Sequence, residues 1–131
     1  MNTKLVMTLS ALFMAIIGIS LTFLPDEISI YSGIGSTVIA RIILQLLGAL
    51  YFAFAMLNWM AKGAIVGGIY NKPIATANVT HFFVGGAAML KGLFHYTAAP
   101  LLLWILAGIY VVFAICFGLI FTRHPDGGQT A

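Results

Sequence analysis

The chain has 131 residues, of which 62% are hydrophobic and 7% are charged, and its formal net charge is +3. A soluble domain carries about 25% charged residues, so this composition excludes an ordinary soluble domain, and no basic patch or arginine-rich arm indicates nucleic-acid binding. The single cysteine, Cys116, excludes an intrachain disulfide and a CxxC redox pair.

Four apolar segments fill almost the entire sequence, and each is about as long as a bilayer is thick. The predicted spans cover residues 5–24, 39–61, 74–95 and 101–122. A helix needs roughly 20 residues to cross the hydrocarbon core, at about 1.5 Å of rise per residue. Because the connecting segments are too short to fold alone, we expect a single domain over residues 1–131. The expected fold is an all-α membrane protein, in which four transmembrane helices form an antiparallel bundle.

The segment after the first predicted span carries the first group of charges. Residues 25–36 are polar and contain two glycines, which predicts an exposed connector. The charged residues expected on this outer side of the membrane are Asp26, Glu27, Arg41 and Lys91. Two acids and two bases would form a neutral outer cluster, and an anion-binding pocket is the alternative.

The basic residues predict the orientation of the chain in the membrane. With alternating spans, four of them collect on one side: Lys4, Lys62, Lys72 and Arg123. Only Arg41 and Lys91 lie towards the other side, so the positive-inside rule places both termini in the cytoplasm. We therefore expect a multi-pass protein of the plasma membrane, of the bacterial inner-membrane type. Contacts with lipid headgroups are expected from Lys62, Lys72 and Arg123.

Small residues recur at helical spacing in every predicted span. Helices in lipid associate through close backbone approach, so these residues are expected to line the packing faces. They are Ala11, Ala15 and Gly18 in the first span, Gly48, Ala49 and Ala53 in the second, Ala77, Gly85, Ala88 and Gly92 in the third, and Ala107, Ala114 and Gly118 in the fourth.

Polar residues inside the spans are few, and none is acidic, which argues against a carboxylate-driven antiporter. His81 is an ionisable residue deep in the third span, roughly 12 Å from its inner end. Asn78 precedes it by nearly one turn, and Asn58 lies at a comparable depth on the second span, so antiparallel neighbours would bring the three together. The candidate ligand-binding residues are His81, Asn78, Asn58 and Gln45. Each also has a structural interpretation as an interhelical hydrogen bond, and for His81 both interpretations stay open.

His95 lies fourteen positions after His81, which corresponds to about 21 Å along a helix and about 40° around it. This spacing is similar to that of the haem-ligating histidines in two-haem membrane cytochromes of the cytochrome b type. Since bis-histidine ligation needs a matched partner at each depth, a homodimer would have to supply the second pair. No other metal site or cofactor is indicated.

Three short stretches carry a resemblance to a known family. They are Leu-Pro-Asp-Glu at residues 24–27, Ala-Arg-Ile-Ile-Leu-Gln-Leu-Leu-Gly at residues 40–48 and Leu-Asn-Trp-Met-Ala-Lys at residues 57–62. In these stretches the chain resembles the small bacterial four-helix membrane proteins grouped as DoxX-like. The resemblance implies a four-helix architecture and, by analogy with some members, a redox partner, but it implies no site residues.

These features predict a non-enzymatic membrane protein. We expect it to serve as an accessory subunit of a membrane complex, or to hold a lipid-like or quinone-like molecule between its helices. One alternative is a small-molecule transporter or channel that is active as an oligomer, and another is a haem-binding electron-transfer subunit. The expected partners are membrane lipids and either further copies of the chain or the other subunits of a larger complex.

Overall fold

A computed structural model describes residues 2–63, 72–96 and 98–122. Within these residues every regular element is a helix, which confirms the all-α class. The helices are α1 (Thr3–Phe23), α2 (Pro25–Tyr31), α3 (Val38–Ala61), α4 (Lys72–His95) and α5 (Leu101–Thr122). Residues 2–62 form one compact unit, which contains α1, α2 and α3. The described residues from Gly63 onward belong to a second unit, which contains α4 and α5.

Three helices of the described chain are long and apolar enough to cross a membrane. They are α1, α3 and α5, whose most apolar stretches have mean hydropathies of 2.2, 2.0 and 2.6. Many of their large apolar side chains are exposed, as for Leu46 at 63% and Met60 at 70%, which suits a lipid environment better than water. The remaining long helix, α4, has 24 residues but includes Asn78, Thr80 and His81, which lower its hydropathy. A fourth membrane crossing by α4 therefore stays a prediction.

Local sequence signals explain where the helices begin. The side chain of Asn2 accepts a hydrogen bond from the backbone N–H of Leu5 at the start of α1. The hydroxyl of Thr37 accepts one from the backbone N–H of Ala40 at the start of α3. Both residues satisfy N–H groups that have no partner within the helix. Pro73 lies in the first turn of α4, where its missing N–H is harmless.

The prediction of a plain connector over residues 25–36 is wrong for its first half, which forms α2. Pro25 at the first helical position presets the backbone angle, and Asp26 and Glu27 in the first turn face the positive end of the helix dipole. The helix packs against the unit through Pro25 and Ser29, which are buried. Seven residues are too few to show a helical period, so the hydropathy pattern alone did not reveal this helix.

In the first unit, α1 and α3 run antiparallel and cross at two glycines. A Cβ atom added to Gly18 would lie 2.8 Å from the backbone nitrogen of Phe52 and 2.9 Å from the carbonyl oxygen of Gly48. A Cβ atom added to Gly48 would lie 2.8 Å from the carbonyl oxygen of Gly18. The two backbones are therefore in direct contact, as the small residues of the first two spans predict.

The other members of the small-residue set divide between packed and exposed positions. Ala11 and Ala107 are buried, as expected, whereas Ala49, Ala53 and Ala88 are exposed and take no part in the helix contact within their own unit. Adjacent residues point about 100° apart on a helix, so Ala49 cannot share the face on which Gly48 meets α1. The buried residues of α3 are Ala40, Gly48, Ala55, Asn58 and Ala61.

In the second unit, α4 and α5 pair through aromatic rings. Phe82 is fully buried and stacks on Phe113 and Phe117, with ring centroids 4.8 Å and 5.6 Å apart. Tyr110 lies against the two glycines one turn further along α4, since a Cβ atom added to Gly85 would lie 2.8 Å from the Tyr110 ring. Large rings on one helix thus fill the space that glycines leave on the other.

Candidate functional site

A buried polar cluster lies between α1 and α3. The side chain of Asn58 has no solvent exposure and donates a hydrogen bond to the hydroxyl of Ser10 over 3.0 Å. Ser10 in turn donates to the carbonyl oxygen of Met7, and the thioether of Met14 lies 3.9 Å from the Asn58 amide nitrogen. Ser10 was not among the predicted site residues, although its hydroxyl inside an otherwise apolar span was a usable signal. The cluster supplies hydrogen-bond partners to polar groups that are buried between the two helices.

Gln45 also joins α3 to α1. Its side-chain amide donates to the carbonyl oxygen of Thr22 over 3.4 Å, on an exposed part of the pair. This contact is the interhelical hydrogen bond that the structural interpretation of Gln45 predicts. A role for Gln45 in ligand binding stays a prediction.

A second polar contact joins α4 to α5. A hydrogen bond of 3.0 Å connects Nε2 of His81 with the hydroxyl of Tyr110. The His81 ring also meets Phe82 edge-on, with centroids 5.2 Å apart. Tyr110 was missed in the sequence, although its position midway along the fourth span, far from the membrane surfaces where tyrosines collect, was a signal.

Asn78 lies one turn before His81 on α4 and is fully buried. Its amide donates to the carbonyl oxygen of Ile74 over 2.9 Å. Asn58 belongs to the first unit, whereas Asn78 and His81 belong to the second. The expectation that the three side chains form one site therefore stays a prediction.

The candidate haem ligands occupy different surroundings. His81 is half-buried at the α4–α5 contact, whereas His95 is exposed at the end of α4, where its Nδ1 lies 3.1 Å from the carbonyl oxygen of Lys91. Within residues 2–63, 72–96 and 98–122, no group of three or more His, Cys, Asp or Glu residues is placed to hold a metal ion. Haem ligation through His81 and His95 stays a prediction.

The first unit brings together two residues of the predicted outer charge cluster, Asp26 and Arg41. Arg41 forms a salt bridge with Asp26 over 2.8 Å, and the hydroxyl of Ser36 donates to the same carboxylate over 2.7 Å. The Ser36 hydrogen bond first, and then the Arg41 guanidinium, hold the pKa of Asp26 below its usual value. These contacts hold α2 against the start of α3. Glu27 is exposed, and Lys91 belongs to the second unit, so the four-residue cluster stays a prediction.

The basic residues expected at lipid headgroups lie at helix ends where the structure describes them. Lys62 follows the last residue of α3, and its ammonium lies over the Trp59 ring at 2.9 Å from the centroid. Lys72 is the exposed first residue of α4. Arg123 and residues 64–71 of the inner connection lie outside the described residues.

An open apolar groove runs along one face of the α4–α5 pair. It has a volume of about 280 Å³, and its lining residues include Phe83, Ala87, Leu90, Val111, Ala114 and Ile115. At 100° per residue, Phe83 and Leu90 lie about 160° and 180° around α4 from His81, so these two lining residues and His81 occupy opposite sides of α4. Phe82 and Gly86, which also line the groove, lie against Tyr110. No sequence signal indicated this groove, because it depends on which faces of α4 and α5 meet.

Comparison of this chain with protein-family models, curated proteins and solved structures gave no match. The resemblance to DoxX-like proteins therefore stays a prediction.

A double-mutant cycle on His81 and Tyr110 tests the structural interpretation of His81. We expect His81→Leu and Tyr110→Phe to show a coupling energy of about 0.6 kcal/mol in the free energy of unfolding, the average for hydrogen bonds between membrane helices. The measurement is unfolding in mixed detergent micelles, followed by circular dichroism. Pairing His81→Leu with Tyr96→Phe at the exposed end of α4 is the control, and it should show no coupling. If the His81→Leu and Tyr110→Phe pair also shows no coupling energy, His81 does not link α4 to α5.

The variant His81→Asn distinguishes a helix-linking hydrogen bond at His81 from a ligand-binding or proton-binding site. Asparagine forms hydrogen bonds but does not titrate near neutral pH. A site requires His81→Asn to fail as completely as His81→Leu in complex assembly or ligand binding. Normal behaviour of both variants would leave His81 with a structural role alone.

Proposed function

We propose that this chain is a non-enzymatic, multi-pass membrane protein that holds the apolar chain of a lipid-like or quinone-like molecule and acts as an accessory subunit of a membrane complex. The observation that carries the proposal is the groove between α4 and α5. Its walls are apolar side chains, and Phe83 and Ile115 on its rim are 66% and 59% exposed. Such a surface offers dispersion contacts to a hydrocarbon chain but no hydrogen bond to a polar substrate.

The placement of the chain in the membrane belongs to the same proposal. We propose that α4 is a fourth span beside α1, α3 and α5, that the four helices form one antiparallel bundle, and that both termini lie in the cytoplasm. The apolar composition of the three candidate spans supports a membrane location. The excess of basic residues near Lys4, Lys62 and Lys72 supports the orientation in a plasma membrane.

The test uses a tryptophan placed in the groove of the full-length chain. Trp59 and Trp104 are the two tryptophans of the sequence, so Trp59→Phe and Trp104→Phe combined with Phe83→Trp leave one reporter on the rim. Phosphatidylcholine with a brominated acyl chain, and a decyl-substituted quinone, both quench tryptophan fluorescence on contact. We expect saturable quenching by at least one of these two probes.

Filling the groove should weaken that quenching. Ala87 lines the groove and Ala88 does not, although both are exposed on α4. We expect Ala87→Leu to weaken probe binding about tenfold, equivalent to about 1.4 kcal/mol, and Ala88→Leu to leave it unchanged. Non-saturable quenching, or equal effects of the two substitutions, would contradict binding in the groove.

A further inference from the structure

A lysine follows the last residue of α4 that lines the groove. Lys91 directly follows Leu90, which lines the groove, and lies one helical turn after Ala87, another lining residue. Its side chain is exposed. Residues 72–122 contain no Asp or Glu, so among the described residues of α4 and α5 the ammonium has no carboxylate partner. An apolar groove with a lysine just beyond its lining on α4 matches a molecule with an apolar chain and an anionic head.

The position of this charge along α4 matches the depth of a lipid headgroup. Lys91 lies four residues before His95, the last residue of α4, and so about 6 Å from the helix end at helical rise. A lysine this near the end of a span extends its ammonium to the membrane surface. From there the groove continues towards Phe82, near the middle of the 24-residue helix.

The length of the groove matches one leaflet. Its lining on α4 runs from Phe82 to Leu90, which is about 12 Å at helical rise. One leaflet contributes about 15 Å to a hydrocarbon core of about 30 Å. A phospholipid chain that starts at the level of Lys91 would therefore follow the groove to the middle of the membrane. A quinone head is uncharged and would draw no affinity from this lysine.

We propose that the groove binds an anionic phospholipid, with one acyl chain along α4 and α5 and the phosphate on the ammonium of Lys91. This proposal rests on the proposed function, since it names the class of ligand that the groove takes. One basic residue near an anionic headgroup contributes about 1 kcal/mol, which corresponds to about fivefold in affinity.

The experiment compares two lipids that differ in head charge alone. Phosphatidylglycerol and phosphatidylcholine with the same brominated chain are titrated into the full-length chain with the tryptophan reporter at position 83, in detergent micelles. We expect phosphatidylglycerol to bind about fivefold more tightly than phosphatidylcholine. Lys91→Gln should remove that preference, and Lys91→Arg should retain it. Lys72→Gln, the same change at the other end of α4, should leave it unchanged.

The outcomes separate this proposal from the proposed function. Equal binding of the two lipids, or a preference that survives Lys91→Gln, overturns the headgroup contact. If Ala87→Leu still weakens the binding of both lipids in that case, the groove remains a binding site for apolar chains. If neither lipid quenches and Ala87→Leu dissociates a dimer, the groove is occupied by a second copy of this chain. That result overturns both proposals.

Discussion

Replacing Gly48 by alanine is expected to destabilise the α1–α3 pair by about 1–3 kcal/mol, the usual range when extra atoms enter a packed contact. The added Cβ atom would lie 2.8 Å from the carbonyl oxygen of Gly18 and 2.9 Å from the backbone nitrogen of Thr22. Backbone atoms cannot rotate away as a flexible side chain can, so the helices must separate. Gly18→Ala meets the backbone of α3 at similar distances and should have the same effect.

The same substitution at Gly118 is the matched control. A Cβ atom there would have nothing within 4 Å, and alanine favours the helix over glycine by about 1 kcal/mol. Gly118→Ala should therefore leave the free energy of unfolding unchanged or raise it. Detergent-induced unfolding followed by circular dichroism measures both variants. Equal stability of Gly48→Ala and Gly118→Ala would mean that α1 and α3 do not touch at their glycines.

Replacing Phe82 by alanine is expected to cost about 3 kcal/mol, at the lower end of the range for buried aromatic residues. Phe82 is fully buried and its ring contacts Phe113, Phe117 and Tyr110. Loss of the ring removes three aromatic contacts and leaves a cavity between α4 and α5. This cost is mainly lost packing between the rings of the two helices.

Phe83 is the adjacent residue of the same type, and its side chain is 66% exposed. Phe83→Ala should change the unfolding free energy by no more than about 0.5 kcal/mol, as at exposed sites generally. The same detergent titration measures both variants. A cost for Phe83→Ala that equals the cost for Phe82→Ala would contradict the assignment of Phe82 to the helix contact and Phe83 to the outer surface.

The long helices could be read from the sequence because their causes are local. Apolar runs of about 20 residues predict membrane-length helices wherever they occur, and the polar residues beside them mark the ends. Thr37 illustrates this, since its hydroxyl accepts a hydrogen bond from the backbone N–H of Ala40 in the first turn of α3. The short helix α2 escaped the same argument, because its helical character depends on Pro25 at its start and on packing through Ser29.

The candidate site was less accessible to sequence reasoning. His81 stood out as a deep ionisable residue, but its partner Tyr110 lies 29 positions away on another helix. Nothing in the local pattern states which residue of α5 will face it. The groove beside Ala87 and Ala114 has the same origin, since it is space left between two helices after Phe82 and Tyr110 have packed.

By itself, the sequence determined the all-helical class, the apolar segments long enough for a membrane and the exclusion of a soluble domain, because composition and hydropathy act on each segment separately. Only the tertiary structure decided which face of each helix is used. Small residues at spacings of three and four occur on several faces of α3 and α4, so spacing alone does not distinguish Gly48, which meets α1, from Ala49, which is exposed. That choice follows from how the surfaces of two helices fit together, and surface fit is a property of the pair.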